Sequence, residues 1–270
     1  MEVRKIAFCF SGQVRDFDAA WHSFNRHILR PLSGHQLSFF AHYPQEEAAQ
    51  RLRSVCFDAV LAEESEPDFS ELESIQHSIV DRPWRPRSTA VTAYLRQLRG
   101  QYLANDLAQR FAAEHGFRFD IVFRLRFDNL YLTTLRLPAR LDRSTVYLPS
   151  HDNWGGYNDR FAFGVPEVMN TYSNRLAEAV EYMREGQDLH PESFLKRHLD
   201  SHSLRVERTT VVHHLLRYQN LWWASFQPDQ GDVVGPGNLF IRAWLACQQA
   251  VRNRIGEQRF DRLALKWWCR

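Results

Sequence analysis

The sequence has little that would send a chain into or across a membrane. No apolar run is long enough to span a bilayer, and the five residues before Ser11 and Gly12 in "MEVRKIAFCFSGQVR" are too few for a secretion-signal core. The expected location is therefore cytoplasmic. The four cysteines, Cys9, Cys56, Cys247 and Cys269, include no Cys-x-x-Cys pair, which argues against a zinc knuckle or a disulfide-dense secreted module and fits a reducing compartment. A Gly-x-x-x-x-Gly-Lys-Ser/Thr loop is missing, which disfavours a phosphate-loop kinase. There is no excess charge of either sign: 34 Lys and Arg against 32 Asp and Glu leave a net +2 and no long basic face. A nucleic-acid partner is disfavoured on that ground, and any basic site must be local. Internal repeats and low-complexity tracts are also lacking.

What is present suits one large α/β domain. A chain of 270 residues with 44% hydrophobic and 24% charged residues can bury a substantial core. "KIAFCF" ends at Ser-Gly as a first buried strand opening into a loop, and "DAAWHSFNRHIL" reads as the helix after it. "QLSFFAHY" and "SVCFDAVLAE" read as the next strands. Ser88 or Thr89 can cap a long helix to about His115, its face marked by Val91, Tyr94, Leu95, Leu98, Tyr102, Leu107 and Phe111. "STVYLPS" reads as a strand, residues 166–184 as one helix, "HPESFLKRHLDSH" as another, and "SLRVERTTVVHHLLR" as a strand with its exit.

The most informative stretch is "DIVFRLRFDNLYL", Asp120 to Leu132. Apolar Phe123, Leu125 and Phe127 alternate with Arg124, Arg126 and Asp128, so a period of two puts three charges on one face of a buried strand. Cations there need anions. Two readings stay open. Either the strand lies at a sheet edge and the arginines face water or pair with acids, or it ends in a cleft where the arginines serve a phosphate and Asp128 reaches a metal ion or a ribose. The turn formed by Ser11, Gly12, Gln13 and Arg15 leaves the first strand at the same sheet end, where glycine permits close backbone approach and arginine can grip phosphate in bidentate fashion.

Four blocks, "IAFCFSGQVRDF", "FDIVFRLRFDNLYL", "GGYNDRFAFGVPEVM" and "HPESFLKRHL", in that order, resemble nucleotide-sugar glycosyltransferases of the GT-A fold, in particular microbial and viral enzymes of surface-glycan synthesis. The resemblance implies a Rossmann-like GT-A fold with a mixed, mostly parallel central sheet flanked by helices. It implies one domain over residues 1–270, with a nucleotide-binding half to about 130, an acceptor and catalytic half over about 131–217, and an extension over 218–270. The implied reaction moves a sugar from a nucleotide-sugar to a glycan or lipid-linked acceptor.

By that resemblance the donor is held by Ser11, Gly12, Gln13, Arg15, Arg124, Arg126 and Asp128. Gly156, Tyr157, Asn158 and Arg160 meet the acceptor, and Asp159 or Glu192 is the base. Asp128 stands where the last acid of a metal-binding Asp-x-Asp motif would stand, but Arg126 takes the place of the first acid, and an arginine can neutralise diphosphate directly. A divalent cation, manganese or magnesium, is expected on Asp128 and His213 where a metal is used. The residues alone also allow Gly155 and Gly156 to be a hairpin turn, Glu192 to be a helix-start carboxylate, and His213 to be structural. His198 and His202 are four apart, with Asp200 and Ser201 between them reading as a helix end rather than a metal spacing. Trp222, Trp223, Trp267 and Trp268, with Arg254, Lys266 and Arg270, fit core, sugar stacking or peripheral contact with the inner face of a membrane. The leading alternative function is a catalytically silent nucleotide- or glycan-binding domain of the same fold.

Overall fold

The computed structural model describes residues 2–12, 17–43, 58–62, 69, 89–187 and 189–216. Gln13, Arg15, the stretch 81–88 and the tryptophan-bearing residues after 216 lie outside the described residues. Strands β1 (Lys5–Ser11), β2 (Gln36–Tyr43), β3 (Ala59–Ala62), β4 (Ile121–Leu125), β6 (Thr145–Pro149), β7 (Ala162–Gly164) and β8 (Arg205–Thr209) form one seven-stranded sheet in the order β3-β2-β1-β4-β7-β6-β8. β1 pairs in parallel with β2 and β4, β2 with β3, and β6 with β8, whereas β7 runs against both β4 and β6. The fold is thus a mixed, mostly parallel α/β arrangement of Rossmann-like type.

Both faces of the central strands are buried. On one, Ile6, Phe8 and Phe10 of β1 join Ile121, Phe123 and Leu125 of β4 under Phe24, Ile28 and Leu32. Those last three lie on α1 (Phe17–Phe24) and on the π and 3-10 turns that prolong it to Leu32. On the other face, Ala7, Cys9 and Val122 pack with Ala104, Ala108 and Ala112 of α2 (Thr89–Glu114) and Met169 of α3 (Pro166–Ser173). The seam of α2 differs from the apolar face expected of it. Tyr94, Leu95 and Leu98 are buried as the spacing predicts, but Tyr102 is exposed and the next turns approach the sheet through alanines. Small side chains allow the helix to lie close: a Cβ added at Gly100 would be 3.0 Å from His42 Nδ1 and 3.3 Å from the Ser11 Cβ.

Three expected elements are divided. The strand predicted through Leu132 ends at Leu125, and β5 (Asn129–Tyr131) leaves to pair with β9 (His213–Leu215) in a second, two-stranded sheet. Helix 166–184 breaks at Asn174 and Arg175 into α3 and α4 (Leu176–Arg184), and α5 (Pro191–Ser201) follows. The segment after β8 is a strand of the second sheet rather than an exit. Gly155 and Gly156 do not close a tight hairpin, because β6 and β7 meet only at Tyr147 and Phe163, across a long loop. No helix among the described residues is long and apolar enough to cross a membrane.

The order β3-β2-β1-β4 makes the junction of β1 and β4 a topological switch point, since the chain builds outward from β1 first on one side and then on the other. In open α/β sheets ligands bind outside the carboxyl ends of such strands. Phe10 of β1 lies level with Leu125 of β4, so Ser11 and Gly12 on one strand and Arg126 to Asp128 on the other emerge side by side there.

Candidate functional site

Arg124 sits on the helix-covered face of β4, level with Cys9 of β1 and Ala162 of β7, two small side chains that leave room for a guanidinium. It is only 2% exposed, yet none of its three side-chain nitrogens has a hydrogen-bond partner among the described residues. Burial lowers its pKa, against the opposing pull of Tyr172 and Asp159. Arginine nonetheless keeps its charge in proteins, so a buried cation stands here with its donors unsatisfied.

Arg126, two residues on, has the opposite condition. Its Nε and one terminal nitrogen donate to the two oxygens of Asp128, both at 2.8 Å, and its other terminal nitrogen donates to Gln97 Oε1 at 2.7 Å. Burial alone would lower its pKa, but the Asp128 charge and hydrogen bonds raise it. The three charges expected on one face are therefore together, and the chelate of Asp128 by Arg126 lies in the turn where β4 gives way to β5. The Gln97 side-chain amide, on α2, donates in turn to Asp159 Oδ2 at 2.6 Å. A continuous line thus runs Asp128, Arg126, Gln97, Asp159.

The loop between β6 and β7 carries Asp159 and is tied down by its own polar groups. Buried Asn158 donates to the His151 carbonyl at 2.8 Å and accepts from the Arg160 N–H at 2.9 Å. Arg160 donates to Asp152 Oδ2 at 2.7 Å and stands 4.0 Å from Glu192 Oε1. Tyr157 donates its N–H to the Glu192 carbonyl at 3.0 Å, while its ring lies beneath Arg208 and Lys196 rather than beside the acids. Gly156 is needed for this docking, as a Cβ there would lie 1.9 Å from the Glu192 carbonyl oxygen. Asp152 and Trp154 have φ of +53° and +43°, a left-handed backbone that non-glycine residues seldom adopt, and the Trp154 side chain projects into solvent.

Glu192, in the first turn of α5, is buried beside Asp159. Burial and then the Asp159 charge raise its pKa to about 8, outweighing the nearby Arg160. His190 Nδ1 stands 3.5 Å from its other oxygen. The raised pKa favours the protonated form of this carboxyl at neutral pH, and two acids in one buried site are a common setting for acid-base chemistry.

The structure therefore gathers Arg124, Arg126, Asp128, Asp159, Arg160 and Glu192, with Ser11 and Gly12 at the adjoining strand end. It adds residues that the sequence reading did not single out: Gln97, Asp152 and Arg175. Arg175, at the break between α3 and α4, is wholly buried, donates to Gln101 Oε1 at 2.9 Å and to the Tyr172 carbonyl at 2.8 Å, and lies over the Tyr172 ring. His213 is elsewhere engaged: its buried ring is surrounded by the rings of His151, Tyr131 and Phe161, and its pKa falls well below the ordinary value through burial and the neighbouring His151. Both oxygens of Asp128 accept hydrogen bonds from Arg126, so a cation on Asp128 and His213 would have to share the carboxylate with that guanidinium.

A family model described as "Domain of unknown function (DUF7796)" matches residues 1–235. No curated protein matches the chain.

Two outcomes check this geometry. Gly156→Ala should cost about 1–3 kcal/mol in denaturant melts by forcing the loop from α5, whereas Gly34→Ala, where a Cβ would meet nothing within 4 Å, should stay within about 0.5 kcal/mol. The raised pKa of Glu192 means the folded state binds an extra proton between the unfolded value of 4.5 and about 8. Its contribution is present in full below that window and is lost as pH rises through it. Glu192→Gln should accordingly gain stability relative to the parent as pH rises from 5 to 9, measured by urea melts across the range.

Proposed function

Because the match spans most of the chain, the protein belongs to the DUF7796 family, and we propose that it is a nucleotide-sugar glycosyltransferase acting on a glycan or lipid-linked acceptor in surface-polysaccharide synthesis. The observation that carries this reading is Arg124, a buried guanidinium with no hydrogen-bond partner among the described residues, at a switch point beside an acid pair. An anion of the size and charge of a diphosphate would satisfy it, and the glycine turn after β1 leaves the sheet at the same end.

In this reading the donor's diphosphate is met by arginine, not by a cation. Asp128 fixes Arg126 instead of ligating metal. An acceptor hydroxyl attacks the anomeric carbon, the bond from that carbon to the diphosphate oxygen breaks, and the nucleoside diphosphate leaves with the electron pair. Asp159 takes the hydroxyl proton, for Glu192 already holds one at neutral pH. A positioned base contributes roughly a hundred- to ten-thousand-fold in rate, and fixed donors at the leaving group add to that. Trp154, on its strained turn, faces solvent where an acceptor would approach.

A second reading, the silent binding domain, is favoured by one observation: three of the five N–H donors of Arg126 are already given to Asp128 and Gln97. The transferase and a silent nucleotide-binding domain both require a nucleotide to bind, whereas a silent glycan-binding domain does not. Calorimetric titration with UDP, GDP, CMP and dTDP and their sugar conjugates should give stoichiometric binding for one base, without a requirement for manganese. Arg124→Met should weaken that binding about tenfold or more, the worth of a charged hydrogen bond, without lowering the melting temperature of the ligand-free protein. A folded parent that binds none of these ligands would end the proposal, as would an Arg124→Met variant that binds like the parent.

A further inference from the structure

On the side of the molecule carried by α4 and α5, Glu178, His198 and His202 bring one carboxylate and two imidazoles within 4.8 Å of one another. Helix geometry makes the pair of histidines: residues four apart share a face, and the His202 N–H still donates to the His198 carbonyl at 3.2 Å, so the helix's last turn holds both rings on that face. α5 does end at Ser201, as Asp200 and Ser201 imply, but the capping residue is His202 itself. Their ring centroids are 4.6 Å apart. Glu178, from the first turn of α4, points one oxygen at each: Oε2 is 2.8 Å from His198 Nδ1 and Oε1 is 2.6 Å from His202 Nε2.

The proton count at His198 makes this more than an ordinary ion pair. Its Nε2 lies 2.8 Å from the Thr171 carbonyl oxygen, which can only accept, so Nε2 carries a hydrogen. Nδ1 faces a carboxylate oxygen, which also only accepts. A neutral ring therefore sets a lone pair against a carboxylate, and a charged ring would be a buried imidazolium, only 2% exposed. A cation shared between Nδ1 and the carboxylate removes the conflict. The Thr171 carbonyl then fills the role of the outer partner that fixes the tautomer of a metal-bound histidine.

We propose that Glu178, His198 Nδ1 and His202 Nε2 form a binding site for a borderline divalent cation of the zinc class. Two imidazoles and a carboxylate are a donor set that zinc accepts, with a fourth position left for water or another ligand. Glu178 and His202 are largely exposed, so the site opens to solvent, and none of its ligands belongs to the acid pair or the arginines described above. Its existence is independent of any glycosyl transfer.

The test uses the full chain stripped with chelator and titrated with zinc, and in parallel with cobalt(II), whose visible absorption reports low coordination number and nitrogen ligation. The parent should take up one equivalent tightly. Glu178→Gln and His202→Ala, both at exposed positions, should each weaken that uptake by more than the roughly ten- to hundredfold that loss of an outer partner causes, and should lose the cobalt spectrum, while far-ultraviolet circular dichroism stays unchanged. No stoichiometric uptake by the parent, or uptake by either variant equal to the parent's, would overturn the site.

Discussion

A buried guanidinium with no hydrogen-bond partner among the described residues is the constraint at the centre of the sheet. Leaving a charge in a low-dielectric interior costs several kcal/mol unless other groups compensate, and Arg124 has the compensation only in part. Cys9 and Ala162 flank it with small side chains, and Asp159 supplies negative potential without a hydrogen bond. A protein gains nothing in stability from such an arrangement. The arrangement makes sense as a site held ready for an anion, and the groups nearest to it are the ones chemistry would need.

The rest of the site follows from how tightly its supports are fixed. Arg126 locks Asp128, Gln97 links that pair to Asp159, Asn158 ties the loop to itself, and Gly156 and the Tyr157 N–H seat it on the start of α5. Asp159 and Glu192 come from distant parts of the chain, so their approach depends on that docking. With the loop seated, burial and the neighbouring Asp159 charge together raise the pKa of Glu192. Strain at Asp152 and Trp154 is the cost of turning this loop sharply, and two of the three left-handed non-glycine residues among those described, Ser203 being the third, fall in the loop that carries Asp159.

The strand pattern was legible because alternation is a local property. Ile121, Phe123 and Leu125 on one side and Arg124 and Arg126 on the other follow directly from a period of two, and β1, β2, β6, α2 and α5 lie where their apolar patterns put them. What failed to show was tertiary. The turn at Arg126 to Asp128 depends on a chelate between side chains, and the break at Asn174 and Arg175 depends on Gln101 and Tyr172 receiving a buried cation. A signal for Gln97 did exist. Gln97, Gln101 and Asn105 recur every four residues along α2 beside its apolar seam, a stripe of amides where a purely structural helix would be expected to carry hydrocarbon. His198 and His202 were discounted because the helix ends between them, and only the fold shows that its last turn keeps them together with Glu178.

The acid pair bears most directly on whether this site performs chemistry or only binds. Single-turnover consumption of a bound nucleotide-sugar, followed with the parent, Asp159→Asn and Glu192→Gln, separates the two. The account predicts that the parent cleaves the bond between sugar and diphosphate, that Asp159→Asn loses the cleavage while still binding the donor, and that Glu192→Gln retains most of it at neutral pH. Full cleavage by Asp159→Asn, or a parent that binds the donor and leaves it intact with acceptor glycans present, would contradict it.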